Sequence, residues 1–411
     1  MKSYLQSFAA VAVIAVSLYA LSQEGRISEW AETGNMAATF GADTVRTKDL
    51  KEKYAEATTT IPQSRVRIFL MPGHEPDYGG AEYGSVKERD LNLALASYLR
   101  GFLEDDPRFE VVLGRGKDGW NPELAEYFVA KREEIQAWRN EQASMTERLV
   151  EEGELSFPKA GVSHQTVASD VALRLYGINK WLGESDFDFA IHIHINDYGS
   201  RKRNRPGELS GYAIYVPARQ YSNSSASRYV AQALKDRFGE LLSVSNAPRE
   251  KEGIVEDREL VAVGRYNTAE VPSMLVEYGY IYEPQFQDPA VRDAVLREYA
   301  YQTYLGLKAF FSPDAEDNPR REVAILPYEW KKDLASAQTY RVDVLALQIA
   351  LAWNGVYPPE GKTLYDCPIS GLFGACTRSS VALFQKKYSI EGETGRVGER
   401  TRQVLNALFA E

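Results

Sequence analysis

The segment DFDFAIHIHIND, residues 186–197, constrains the fold most. Apolar residues alternate over most of its length, the period of a β-strand, so side chains two apart share a face. Ile191, Ile193 and Ile195 therefore cover one face, while His192, His194 and Asn196 share the other near the strand end. The chain holds only 4 His, so two of them on one strand face weigh heavily in any reading of its chemistry.

The neighbouring segments alternate between helix and strand. Val66–Leu70 is an apolar, β-branched strand that runs into the turn MPGH. ERDLNLALASYLRGFLED carries Leu91, Ala94, Leu99 and Phe102 at helical spacing, and FEVVLGR is the next strand. Residues 121–155 have a charged helical pattern, with a polar density that suits an excursion from the sheet rather than a central element. QTVASDVALRLYGINKWLGE is a further helix, followed by the strand at 186–197 and a second strand, SGYAIYVPA. SASRYVAQALKDRFGELL forms a helix, VPSMLVEYGYI a late strand, and DPAVRDAVLREYAYQTYLGLKAFF a long amphipathic helix. This order predicts an α/β domain over residues 63–312, with a mostly parallel central sheet and flanking helices.

A chain of 411 residues is long for one core, and the remainder divides accordingly. Residues 313–334, Pro-bearing and charged, read as a linker. Residues 335–411 show three helical patterns, predicting a small all-α domain: Val342, Leu345, Ile349 and Ala352; Val381, Phe384 and Tyr388; Thr401, Val404, Leu405 and Leu408. At the other end, an apolar run from Phe8 to Leu21 is short for a bilayer span, which needs about 20 residues. It predicts a signal peptide or membrane anchor over residues 1–22, with cleavage near Gln23 in the first case. Residues 23–62 are polar and unpatterned, as in a tether. Export permits a disulfide, and Cys367 and Cys376 lie across a glycine-bearing turn that suits a local one. The net charge of -10 argues against a nucleic-acid binder.

The candidate site residues sit where the apolar runs end. His74 follows the first strand through Pro72 and Gly73, at the strand end where open α/β sheets bind ligands. Glu88 starts the next helix, where a carboxylate also serves simply to satisfy free N–H groups. The two strand histidines are either metal ligands or members of a polar face. His74, Glu88 and one strand histidine make the three protein ligands that a hydrolytic zinc site requires. The other strand histidine would then orient a ligand or bind directly. Glu277, a carboxylate closing the apolar run VPSMLV, is a further ligand, a salt-bridge partner for a cation such as Arg265, or a proton-transfer group.

These segments together resemble the zinc-dependent N-acetylmuramoyl-L-alanine amidases of bacterial cell-wall turnover and division. IFLMPGHEPDYGGAEYG resembles their first ligand motif, placing one Zn²⁺ on His74; KERDLNLALASYL places the acidic ligand at Glu88. HIHIN aligns with their Ser-Ile-His-x-Asn motif, which makes His194 the third ligand and puts His192 in the serine position. VPSMLVEYGYI places their catalytic glutamate at Glu277. The resemblance spans about residues 64–310. Residues 335–411 resemble a three-helix peptidoglycan-binding domain, through the Phe373-Gly374 pair before Thr377 and the Phe384-Gln385 element. The implied function is hydrolysis of the amide between N-acetylmuramic acid and L-alanine in peptidoglycan, by an exported protein in the periplasm or wall space. The rivals are a zinc peptidase acting within the stem peptide and a catalytically inactive wall-binding regulator. The pattern departs at Glu75 and Pro76, at His192, and in the long charged insertion near 118–160, which suits a lid, an autoinhibitory helix, a regulatory partner's surface or a solvated excursion.

Overall fold

The computed structural model describes residues 47–57, 65–157, 168–312, 323–336 and 340–410. The elements in chain order are α1 (Thr47–Glu56), β1 (Val66–Pro72), β2 (Glu82–Tyr83), β3 (Val86–Lys87), α2 (Glu88–Glu104), β4 (Phe109–Leu113), α3 (Pro122–Ala130), α4 (Arg132–Glu151) and α5 (Ser169–Glu184). There follow β5 (Phe189–Asn196), β6 (Ala213–Pro217), α6 (Ser224–Phe238), β7 (Ile254–Asp257), β8 (Ser273–Tyr280), α7 (Pro289–Phe311), α8 (Val342–Trp353), α9 (Ala375–Lys387) and α10 (Glu399–Phe409).

Six strands form one sheet in the order β4-β1-β5-β8-β6-β7. β4, β1, β5 and β8 run parallel, β6 is antiparallel to β8, and β7 follows β6 in parallel. The mostly parallel sheet with flanking helices, followed by a small helical domain, is the fold expected from the sequence. One sheet face packs against α2, α6 and α7, burying Leu91, Leu95, Val230, Leu234 and Val295 with Ile191 and Ile193 of β5. The other face packs against α3 and α5, through Leu124, Ile178 and Trp181 on Phe69, Met71 and Ala190. Helices on both faces hide a parallel sheet from water, which is why its strands read as almost continuous apolar runs.

Three expectations change. The polar tether expected over 23–62 includes α1, whose Leu50 and Tyr54 are buried in the main core, Tyr54 donating to Asp106 Oδ2 at 2.8 Å. Two apolar residues four apart in a ten-residue charged helix are a weak sequence signal but enough to dock it. The charged stretch after residue 118 is not purely an excursion: α3 and α4 belong to the β4-to-β5 crossover, and α3 seals the core with Leu124. The expected linker over 313–334 packs where it is described. Val323 enters the main core, and Trp330 enters the helical domain's core, donating through Nε1 to Asp343 O at 2.9 Å.

The helical domain closes on Leu347, Phe384, Leu405 and Trp330, and Cys367 is disulfide-bonded to Cys376. α8 is apolar all round because it is buried on two sides. Leu345 and Ile349 join the main core, whereas Val344, Leu347 and Leu351 join the domain's own. Among the described residues no helix is long and apolar enough to cross a membrane. The expected signal peptide or anchor at 1–22 lies outside those residues.

Candidate functional site

Parallel pairing of β1, β5 and β8 brings three strand ends to one edge of the sheet. β1 passes through Pro72 and Gly73 into His74, β5 delivers His194, and β8 places Glu277 directly opposite His194 in register. Glu88 is the first residue of α2. Side-chain atoms of His74, Glu88 and His194 lie within 4.8 Å of one another. Glu88 Oε1 is the hub, 2.8 Å from His74 Nε2 and 3.1 Å from His194 Nδ1. It also accepts from Ile195 N at 3.2 Å and Asn92 Nδ2 at 3.3 Å, while Oε2 accepts from Ala81 N at 2.8 Å. Burial pushes the Glu88 carboxyl up, but the hydrogen bond from His194 and the close approach of His74 outweigh this and hold it below the usual range. Burial pushes His194 down, and its bond to Glu88 opposes that.

Two glycines make the convergence sterically feasible. A Cβ at Gly73 would lie 2.3 Å from His194 Cε1, and one at Gly80 would lie 2.8 Å from His74 Cδ2. His74 itself adopts φ 71°, a left-handed conformation costing a side chain about 1 kcal/mol or more. Arg115, 2% exposed, secures that turn. Its Nε donates to Pro72 O at 2.9 Å, and its Nη2 donates to Gly73 O at 2.6 Å and Arg89 O at 2.9 Å. One guanidinium thus ties the turn before His74 to the helix start that carries Glu88. Burial lowers its pKa to about 10, still far above neutrality.

Glu75, which departs from the family pattern, is outside the ligand group. It is buried and accepts from Trp120 Nε1 at 3.1 Å and Arg174 Nε at 2.9 Å, tying the His74 turn to the helical crossover. His192 shares the face of His194 but sits one pair deeper in the sheet, between Met71 and Leu275. It is buried, its Nε2 has no hydrogen-bond partner among the described residues, and burial pushes it down to about 3. Arg265, the cation weighed as a partner for Glu277, instead donates to Tyr266 Oη at 3.0 Å.

The atoms left over favour a metal. Among the described residues, His74 Nε2 is buried without an aligned hydrogen bond despite its closeness to Glu88, and Glu277 Oε2 is buried with none. Two imidazoles and one carboxylate are a donor set that suits a metal ion with an open position. Burial, then the nearby charges of Glu88 and Glu250, raise the Glu277 carboxyl well above its ordinary value. The group faces a cleft of about 920 Å³, also lined by Asn196, Tyr198, Tyr215, Glu250 and Tyr280. Glu250 accepts from Tyr215 Oη at 2.6 Å and Tyr280 Oη at 3.2 Å. Neither Arg115, which follows the apolar part of FEVVLGR, nor Glu250 carries a sequence signal, because the partners of each come from other elements.

Comparison with known proteins fits this geometry. Residues 158–309 match the family described as N-acetylmuramoyl-L-alanine amidase, and residues 340–405 match the peptidoglycan binding domain family. An N-acetylmuramoyl-L-alanine amidase domain is thus detected within residues 158–309. The matched range contains His194 and Glu277; His74 and Glu88 precede it and are joined to it by the β1–β5 pairing. The amidase domain is followed by the peptidoglycan-binding domain, again as expected. The chain is 21% identical over 254 residues to the Haemophilus influenzae protein named "Probable N-acetylmuramoyl-L-alanine amidase AmiB", covering 60% of this chain and 52% of that one. It thus spans about half the length of the curated relative it matches. Similar solved structures include the CwlD amidase of Clostridioides difficile in complex with the GerS lipoprotein, with TM-score 0.39, 17% identity, and coverage of 61% of this chain and 100% of that one. Another is Ami1 of Mycobacterium smegmatis, with TM-score 0.40, 14% identity, and coverage of 60% and 97%.

Proposed function

We propose that this chain hydrolyses the amide between the lactyl group of N-acetylmuramic acid and L-alanine in peptidoglycan, with one zinc ion held by His74, Glu88 and His194. The observation that carries the reading is the convergence of those three side chains beside a buried, unpartnered Glu277 oxygen. Zinc bound there supplies a Lewis acid, which lowers the pKa of a water and polarises the scissile carbonyl. The chain's own residues do the rest. Glu277 takes a proton from the attacking water and returns it to the departing L-alanine nitrogen. Its raised pKa favours holding that proton between the two transfers. Glu88 stays ionised, kept so by its bond to His194 and the closeness of His74. The cleft receives the glycan and its stem, and the helical domain holds the chain on the polymer, raising local substrate concentration.

Under this reading the protein is exported and works in the periplasm or the wall space, with or without an N-terminal membrane attachment. A regulatory partner would act at the insertion near 118–160, since Trp120, packed edge-on to Phe128 of α3, donates to Glu75 beside His74.

Digestion of purified wall by the wild type and by Glu277→Gln, with mass analysis of the products, tests the assignment. The wild type releases free stem peptides beginning at L-alanine. The variant keeps its zinc and loses activity by about 10²–10⁴-fold. Fragments cut inside the stem would instead identify a peptidase, and equal activity in both proteins would refute the role of Glu277.

A further inference from the structure

The loop between β5 and β6 carries a positive run that the proposed reaction does not use. In a chain of net charge -10, residues 201–205 read RKRNR. Arg201 is an anchor. Its Nε donates to Asp197 Oδ1 at 2.5 Å and its Nη2 to Glu82 O at 2.7 Å. Its guanidinium lies 5.3 Å from the Tyr83 ring centre and 5.7 Å from that of Tyr282. The far end of the loop is fixed to the same tyrosine. Tyr282 Oη donates to Leu209 O at 2.9 Å, and a Cβ on Gly207 would lie 2.4 Å from Tyr282 Oη. Lys202, Arg203 and Arg205 are exposed between the two anchors, and none forms an ion pair with the described residues. Both feet of the loop, Tyr198 and Leu209, line the cleft that holds His74, His194 and Glu277.

Solvated cations on a free loop need no explanation. Here the loop is pinned at both ends and presents three unpaired charges at the rim of the site. We propose that Lys202, Arg203 and Arg205 form a substrate subsite that recognises free carboxylates on the peptide stem. This rests on the reading above, because a stem whose first amide enters the cleft must lead its acidic groups out over the rim. Exposed charges act mainly on encounter and affinity, and their effect is screened by salt.

The test uses the full chain, metal-free under chelator so that nothing is turned over, and measures Kd calorimetrically. The probes are a purified muropeptide with free carboxylates and the same muropeptide with them converted to carboxamides. Replacing Lys202, Arg203 and Arg205 together by Ala weakens binding of the free acid by roughly tenfold, as three exposed ion pairs suggest. It leaves the carboxamide unaffected and flattens the salt dependence, with thermal stability unchanged. Equal affinity of wild type and variant, equal loss for both probes, or no binding by the wild type would each overturn the subsite. So would loss of binding to phosphatidylglycerol vesicles with muropeptide affinity intact, which would assign the loop to phosphate headgroups. Should wall digestion give no L-alanine-terminated stems while the calorimetry behaves as expected, the amidase reading fails and the subsite stands.

Discussion

Glu298 gives the most direct handle on how this fold responds to pH. It lies on α7, 3% exposed, accepting from Gln302 Nε2 at 2.6 Å and from Ile325 N at 3.0 Å. The second bond fastens the chain segment leading to the helical domain. Burial pushes its pKa up to about 7, against which the bonds from Gln302 and Ile325 and the charge of Arg237 act only in part. The folded form therefore binds the proton more tightly than the unfolded one. The resulting stabilisation is full below the ordinary value of 4.5 and is lost as pH rises through about 7. A tenfold ratio of acid constants is worth about 1.4 kcal/mol, so the whole effect is about 3 kcal/mol. Glu298→Gln cannot ionise. Urea unfolding of wild type and variant, from pH 4.5 to 8, should show the wild type losing about 3 kcal/mol relative to the variant over that window. A difference that stays flat within about 1 kcal/mol would show that Glu298 ionises freely in the fold, and the burial argument would fail.

Two further outcomes follow from the packing. Gly73→Ala puts a Cβ into the His194 ring, so zinc affinity measured by chelator competition should fall by about 10–100-fold or more, with the rest of the fold retained; unchanged affinity would mean the turn can move aside. Trp330→Ala empties the helical domain's core and strands Asp343 O, which should cost about 3–5 kcal/mol in chemical unfolding; a loss below about 1 kcal/mol would return residues 323–334 to the status of a linker.

Periodicity alone determined most of the elements. A two-residue repeat marks a strand and an apolar stripe marks a helix wherever one face is wet and the other dry, and β5, α2 and α9 show those patterns in the chain itself. The same repeat put His192 and His194 on one face, but it could not say which of them reaches the ligands. That depended on depth: His192 lies beside Met71 and Leu275 inside the sheet, and His194 lies at its edge beside Glu277. Tertiary structure also decided the fate of polar segments. α1 and the stretch around Trp330 are stabilised by partners far away in sequence, which no local pattern reveals. Arg115 was invisible for the same reason, since its role consists of three carbonyls supplied by the ends of two other elements. Local sequence specifies which backbone a segment prefers. Which side chains meet at a strand end is set by the order in which strands pair, and that order is a property of the whole core.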